Sequence, residues 1–223
     1  MTSNIAVDYN KDMNPKFFDI RVRIIQKIFK NYKPKKVLDI GCGTGIFLDY
    51  FNDEFDSGIG IDGSIDMINF ANKNHKRKNI KYILGKDAPL PFDDNEFDLV
   101  LIMGTFEYVK DQKRHFEESI RVLKKNGILL LTTPTKIMNI YRIARIFGLA
   151  AGRYWKINKY LSFNELEKLI DKNSAEIIEH KVLFFNPSGI RLFDFIFNSI
   201  NKMASGKLNK FLLGPQYIVV RKS

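Results

Sequence analysis

A single cysteine in 223 residues excludes an internal disulfide and a cysteine-built zinc site, and it fits a chain made in a reducing cytosol. Histidine is scarce as well. His75, His115 and His180 stand far apart in the chain, so no histidine-rich ligand spacing can be read and no metal site is expected. No run of about 18 uncharged apolar residues occurs, which argues against a membrane-spanning helix. The first thirteen residues, M-T-S-N-I-A-V-D-Y-N-K-D-M, lack the apolar stretch of an export signal. A cytoplasmic protein is expected. Acidic residues are also few, 25 against 36 basic, for a net charge of +11. The imbalance is local: residues 134–223 carry 15 basic and 6 acidic side chains, whereas residues 1–133 carry 21 and 19. Such asymmetry points to an acidic partner on the later region, whether substrate, membrane headgroup or RNA, or to a lysine-rich solvated surface. With 45% hydrophobic and 27% charged residues the composition is that of a folded globular domain.

Residues 1–133 alternate short apolar runs with helical patterns. Residues 37–40, 58–61, 80–84, 99–103 and 128–131 read as strands buried on both faces. Residues 44–55, 64–74 and 111–124 read as helices, and Asn14-Pro15 opens a further helix to about Tyr32. This succession predicts an α/β fold with a doubly wound, Rossmann-like parallel sheet, whose ligand site lies at the carboxyl ends of the strands. Residues 175–185 and 217–220 read as sixth and seventh strands, and L-S-F-N-E-L at 161–166 starts a capped helix.

After the first strand comes V-L-D-I-G-C-G-T-G-I-F-L, residues 37–48. Gly41, Gly43 and Gly45 permit a tight turn and close approach of backbone to a ligand, with helix N–H groups facing an anion. The strict dinucleotide pattern would need glycine at 46, where Ile46 stands, so a different adenosyl ligand is favoured. Asp62, at the end of the second strand, is placed to accept from both hydroxyls of a ribose.

Four segments in order carry a resemblance: D-I-G-C-G-T-G at 39–45, G-I-D-G-S-I-D-M-I at 60–68, G-K-D-A-P-L-P-F-D-D-N-E-F-D-L-V at 85–100, and R-V-L-K-K-N-G-I-L-L-L-T-T-P at 121–134. With these the chain resembles the class I S-adenosylmethionine-dependent methyltransferases, in the small-molecule branch that includes quinone-biosynthesis enzymes. The resemblance implies seven strands, mostly parallel with an antiparallel last one, in a single domain over 1–223. Its parts would be an N-terminal segment and helix at 1–33, a cofactor core at 34–133, and helical cap insertions at 134–160 and 187–214. S-adenosylmethionine would be the cofactor and S-adenosylhomocysteine the product. Asp39, Gly41 and Gly43 would hold the methionine end, Asp62 the ribose, and Asp87 with the backbone of Ala88 the adenine. Gly63, Met67 and Met103 would line the same site; because relatives place a bulkier residue at 63, Ile65 or Met67 would cover the adenine face. Cys42 is expected to pack rather than react.

Alignment of acceptor with methyl is the main demand of such a transfer, and a base serves only a reluctant nucleophile. In quinone-type relatives the stretch after the fourth strand often carries two acids and a histidine that hold a metal. Here Gly104, Glu107 and Tyr108 stand there, so Glu107 and Tyr108 are the catalytic candidates and the metal-assisted route is disfavoured. His75 is expected at the surface, His115 within a helix and His180 in a strand. Residues 137–151 and 193–204 hold apolar stripes at helical spacing, the first with Arg142, Arg145 and Arg153 around it and no acidic residue. A cap packed on the core over a small-molecule acceptor, which the basic charge allows to be acidic, is the first reading; the second is a cap that rests on an anionic membrane as a peripheral enzyme and receives a lipid-linked or prenylated acceptor. An RNA methyltransferase and a non-catalytic S-adenosylmethionine-binding protein are the remaining alternatives, although no nucleic-acid module is recognisable.

Overall fold

The computed structural model describes residues 15–86, 88–134, 161–182 and 215–223. Helix α1 (Pro15–Tyr32) begins at its proline, where the missing N–H costs nothing. Strand β1 (Lys36–Ile40) leads through the glycine turn into α2 (Ile46–Tyr50), then β2 (Ser57–Asp62), α3 (Ile65–Asn74) and β3 (Ile80–Leu84). There follow β4 (Phe97–Met103), a 3-10 turn (Phe106–Tyr108), α4 (Gln112–Val122), β5 (Leu123–Pro134), α5 (Phe163–Asp171), β6 (Ala175–Val182) and β7 (Pro215–Lys222).

The seven strands form one sheet in the order β3-β2-β1-β4-β5-β7-β6. Strands β1 to β5 pair in parallel, and β7 lies antiparallel between β5 and β6. The seven-stranded, mostly parallel Rossmann-like architecture therefore stands, with one antiparallel strand. Alternate residues divide the core into two layers. Val37, Leu99, Leu101, Ile128 and Leu130 face Ile25, Ile28 and Phe29 of α1. Leu38, Ile40, Val100, Ile102, Leu129 and Leu131 face Phe116 and Ile120 of α4 and Leu166 and Ile170 of α5. Burial on both faces is why these strands read as unbroken apolar runs. Side-chain caps mark the helix starts: Ser64 accepts from Met67 N, Asp111 from Arg114 N, and Ser162 with Glu165 completes a capping box on α5.

Three element assignments need correction. The helix expected over 44–55 is only five residues long, because Phe51 leaves helical geometry and Asn52 caps the Asp49 carbonyl at 2.7 Å. Phe51 and Phe55 turn inward instead and stack on Phe29 with centroids 5.2 and 6.0 Å apart. The helix expected to reach Lys124 stops at Val122, where Leu123 turns extended and pairs with Phe97, so β5 starts five residues before the expected Ile128. Asn126, at φ +63°, and Gly127 then accommodate the register shift between Phe97 and Leu99. Strand β3 is not buried on both faces. It is an outer strand, with Leu84 54% exposed. Of the stretches assigned to the cap, 134–160 and 187–214, Pro134 is the last residue of β5 and the rest lies outside the described residues, as does Phe185 at the expected end of β6.

Candidate active site

The glycine turn folds across the end of β2: the N–H groups of Gly41 and Cys42 both donate to the Ile61 carbonyl, at 2.8 and 3.1 Å. Gly41, at φ +71°, has no room for a Cβ, since the Thr105 side chain occupies that space, and the Thr105 hydroxyl donates to the Gly41 carbonyl at 3.3 Å. Gly43 and Gly45 are also left-handed, at φ +53° and +79°. Behind the turn Tyr82 donates its hydroxyl to the Gly45 carbonyl at 3.0 Å. Cys42 is buried, and its thiol pKa is pushed well above the ordinary value by burial and by the nearby Asp39 and Asp62 carboxylates. This suits packing rather than nucleophilic chemistry.

Asp62 does more than await a ligand. Its Oδ2 accepts from Gly43 N at 2.9 Å and its Oδ1 from Ser64 N at 2.8 Å, so one carboxylate ties the glycine turn to the start of α3. Each oxygen keeps a second lone pair for a further donor. Gly63 beside it is unconfined: a Cβ there would come no closer than 3.8 Å to the Gly85 carbonyl. Of the two residues expected to cover this face, Met67 is 9% exposed and Ile65 51%. Ala88 is half-buried, and Asp87 lies outside the described residues.

Asp39 is the anomaly of the site. It is 1% exposed, and among the described residues neither carboxylate oxygen has a hydrogen-bond partner. Burial first, then repulsion from Asp62, raises its pKa to about 7, against the pull of Arg21. An orphaned buried carboxylate of this kind calls for a ligand cation or donor. Glu107, in the 3-10 turn, repeats the pattern: it is 6% exposed, its Oε2 lacks a partner among the described residues, and burial raises its pKa to about 7. Its carboxyl accepts from the Thr133 hydroxyl and from its own backbone N–H, and Arg21 opposes the shift. Tyr108 is half-buried and Met103, at the end of β4, is 5% exposed.

Arg21 was not a sequence candidate. It reaches from α1 so that its guanidinium lies against Gly104, itself at φ +80°, and its charge acts on both Asp39 and Glu107. The signal was present, because Arg21 occupies the same helical stripe as the fully buried Ile25 and Ile28. The structure thus gathers Asp39, Gly41, Gly43, Asp62, Met103 and Glu107 at one edge of the sheet. Of the histidines, His75 pairs with Asp49 at 2.9 Å, His115 is buried in α4 with its ring 5.7 Å from that of Phe106, and His180 on β6 is hydrogen-bonded to Gln216 of β7.

Residues 38–131 match the model of a family described as a methyltransferase domain. Over 182 residues, 75% of this chain and 71% of the relative, the sequence is 31% identical to the ubiquinone biosynthesis O-methyltransferase of Pelagibacter ubique. It is 29% identical to the demethylmenaquinone methyltransferase of Thermotoga maritima over 197 residues, 79% of this chain and 84% of that one. Among solved structures, a Haloferax volcanii methyltransferase in complex with the Trm112 methyltransferase activator shares the fold at a TM-score of 0.69 and 19% identity, covering 97% and 95% of the two chains. The chain belongs to the class I S-adenosylmethionine-dependent methyltransferases and is an enzyme that transfers a methyl group to a small-molecule acceptor.

Proposed function

We propose that this enzyme binds S-adenosylmethionine across the ends of β1 and β2 and methylates an oxygen on a small, quinone-type ring, with Glu107 as the general base. The orphaned carboxylate of Asp39 is the observation that carries the cofactor assignment: a buried anion with no partner among the described residues is complementary to the ammonium of a bound methionine moiety. The free lone pairs of Asp62 suit a ribose diol, and the Arg21 guanidinium supplies a counter-charge for the methionine carboxylate. Gly41 and Gly43 let the backbone approach, Met103 and Met67 give apolar contact beside open Gly63, and Asp87 with Ala88 would take the adenine edge.

Held by Asp39, Asp62 and the glycine turn, S-adenosylmethionine would supply an electrophilic methyl on a sulfonium, its thioether being the leaving group. The chain's own part is alignment and exclusion of water. Glu107, with a pKa near 7 and an Oε2 that has no partner among the described residues, can take the acceptor's proton, while Thr133 hydrogen-bonds its carboxyl. Tyr108 beside it is assigned to acceptor contact.

The choice of oxygen follows the O-methyltransferase activity named for the Pelagibacter ubique relative, and the quinone-type ring follows the ubiquinone biosynthesis and demethylmenaquinone named for the two relatives. Calorimetry tests the cofactor site: parent protein should bind S-adenosylmethionine and S-adenosylhomocysteine, and Asp39→Asn should weaken both by tenfold or more. Preference for NAD, or unchanged affinity in a folded Asp39→Asn, would sink the assignment.

The excess of 15 basic over 6 acidic residues in 134–223 favours a second, compatible reading: an acidic or lipid-linked acceptor, met by a cytoplasmic enzyme at an anionic membrane surface. No helix of the described residues is long and apolar enough to cross a membrane. Salt-sensitive co-sedimentation with anionic but not zwitterionic vesicles is the expected result; equal recovery with both would refute it.

A further inference from the structure

Four buried side chains with an orphaned polar atom share one edge of the sheet. Asp39, Glu107, Thr132 and Gln216 all stand at the carboxyl edge of the parallel strands, and each buries a side-chain oxygen or nitrogen that has no partner among the described residues. Asp39 and Glu107 already have roles in the reading above, and Gln216 does not. Its side chain is 1% exposed, with Nε2 unpartnered and Oε1 2.9 Å from Nε2 of His180. This pairing orients the amide. With the imidazole donating from Nε2, the carbonyl end is taken, and the two N–H donors face away from His180. The imidazole is itself held by stacking on Phe163, with ring centroids 4.1 Å apart.

Strand register places Gln216 opposite the threonine that hydrogen-bonds the proposed base. Gln216 is the antiparallel partner of Thr133, and directly opposed residues point to one face with Cβ atoms about 5 Å apart. The Thr133 hydroxyl is the group that hydrogen-bonds Glu107. Glu107 and Gln216 therefore flank one threonine. A buried acceptor and a buried pair of donors on either side of one threonine complement a ligand bearing a hydroxyl and a second oxygen beside it.

We propose that Gln216 is an acceptor-binding, specificity-determining residue, whose amide, oriented by His180, donates to an oxygen adjacent to the nucleophilic hydroxyl that faces Glu107. The enzyme then selects acceptors with vicinal oxygen functions over simple phenols. The proposal rests on the placement of the acceptor beside Glu107, and its test needs no turnover.

The chain contains three glutamines, Gln26, Gln112 and Gln216, so labelling the full chain with 15N selectively at glutamine leaves three side-chain amide pairs to follow. Gln216→Met, similar in shape and without donors, identifies the Gln216 pair. In protein loaded with S-adenosylhomocysteine, catechol should shift that pair and phenol should not. Gln216→Met should bind catechol about tenfold more weakly, with its affinity for phenol and S-adenosylhomocysteine unchanged. His180→Phe keeps an aromatic ring against Phe163 but frees the amide, and should also weaken catechol binding several-fold. A Gln216 pair unmoved by catechol, 2-hydroxybenzoate and 2-hydroxy-1,4-naphthoquinone overturns the proposal. So does equal catechol affinity in parent and a folded Gln216→Met. If Glu107→Gln retains full turnover, the base assignment falls while the Gln216 spectra still decide the present proposal.

Discussion

Replacing Asp62 separates two jobs that one carboxylate performs. Its oxygens accept from Gly43 N at 2.9 Å and Ser64 N at 2.8 Å, pinning the glycine turn to the start of α3. A hydrogen bond to a charged group contributes about 1.5–3 kcal/mol net, and the two donors are half-buried and can reach water once released, so the lower value applies. Asp62→Ala should then cost about 3 kcal/mol without any ligand. For a chain of this size that lowers Tm by roughly 6–12 °C. Asp62→Asn keeps one acceptor oxygen but turns an N–H toward a backbone donor, and should fall in between. In calorimetry both should lose S-adenosylmethionine affinity by about 1–3 kcal/mol as the ribose hydroxyls lose a charged acceptor. Thermal unfolding without cofactor, set beside calorimetry on the same variants, isolates the two effects. An unchanged Tm in Asp62→Ala refutes the pinning argument, and unchanged affinity in a folded variant removes Asp62 from the cofactor site.

Glu107→Gln should lower kcat by about 100-fold while cofactor affinity stays near normal, and the parent kcat should rise with pH through about 7 as the carboxyl ionises; a parent rate flat from pH 6 to 8 would exclude it as the base. Burial raises Asp39 from 3.8 and Glu107 from 4.5 to about 7 each, so the folded chain holds protons that the unfolded chain has released, and both residues make stability fall as pH rises from about 4.5 to 7. Denaturant titrations of Asp39→Asn and Glu107→Gln without cofactor should gain stability relative to parent toward pH 7, and an identical pH slope in parent and variants would refute the shifts. Gly41→Ala forces a side chain into the Thr105 position at φ +71° and should cost about 3 kcal/mol or more, whereas Gly63→Ala should change Tm by less than about 2 °C; equal effects would contradict the turn geometry.

Much of this architecture is written in local pattern. Apolar runs such as Leu99–Met103 announce doubly buried strands, and the D-I-G-C-G-T-G turn with Asp62 one strand later locates the ligand edge. Element ends were harder to read. Nothing local tells Phe51 and Phe55 to leave helical geometry; the gain comes from stacking on Phe29, contributed by α1. The early start of β5 likewise depends on Leu123 finding Phe97 across the sheet.

The site shows the same division. Spacing nominated Asp62 and the family resemblance added Asp39 and Glu107; residues at the carboxyl ends of parallel strands share one edge. Their chemistry was not in the spacing: desolvation depends on what packs around a carboxylate, and it is burial that brings Asp39 and Glu107 to a pKa near 7. Arg21 and Gln216 show what the pattern offered and withheld. Each is a polar residue on an otherwise apolar stripe, Arg21 with Ile25 and Ile28, Gln216 with Ile218 and Val220, so the anomaly is visible in one dimension. Its meaning is not. Only the packing of α1 over Gly104, and the antiparallel insertion of β7 beside Thr133, bring a cation to the two carboxylates and an amide to the threonine that hydrogen-bonds Glu107. The sequence by itself determined which residues lie on buried faces and which follow strands, since both are periodic properties of a local chain. The tertiary structure decided which of them meet, because contacts between strands more than 80 residues apart, such as Thr133 with Gln216, depend on sheet order and register.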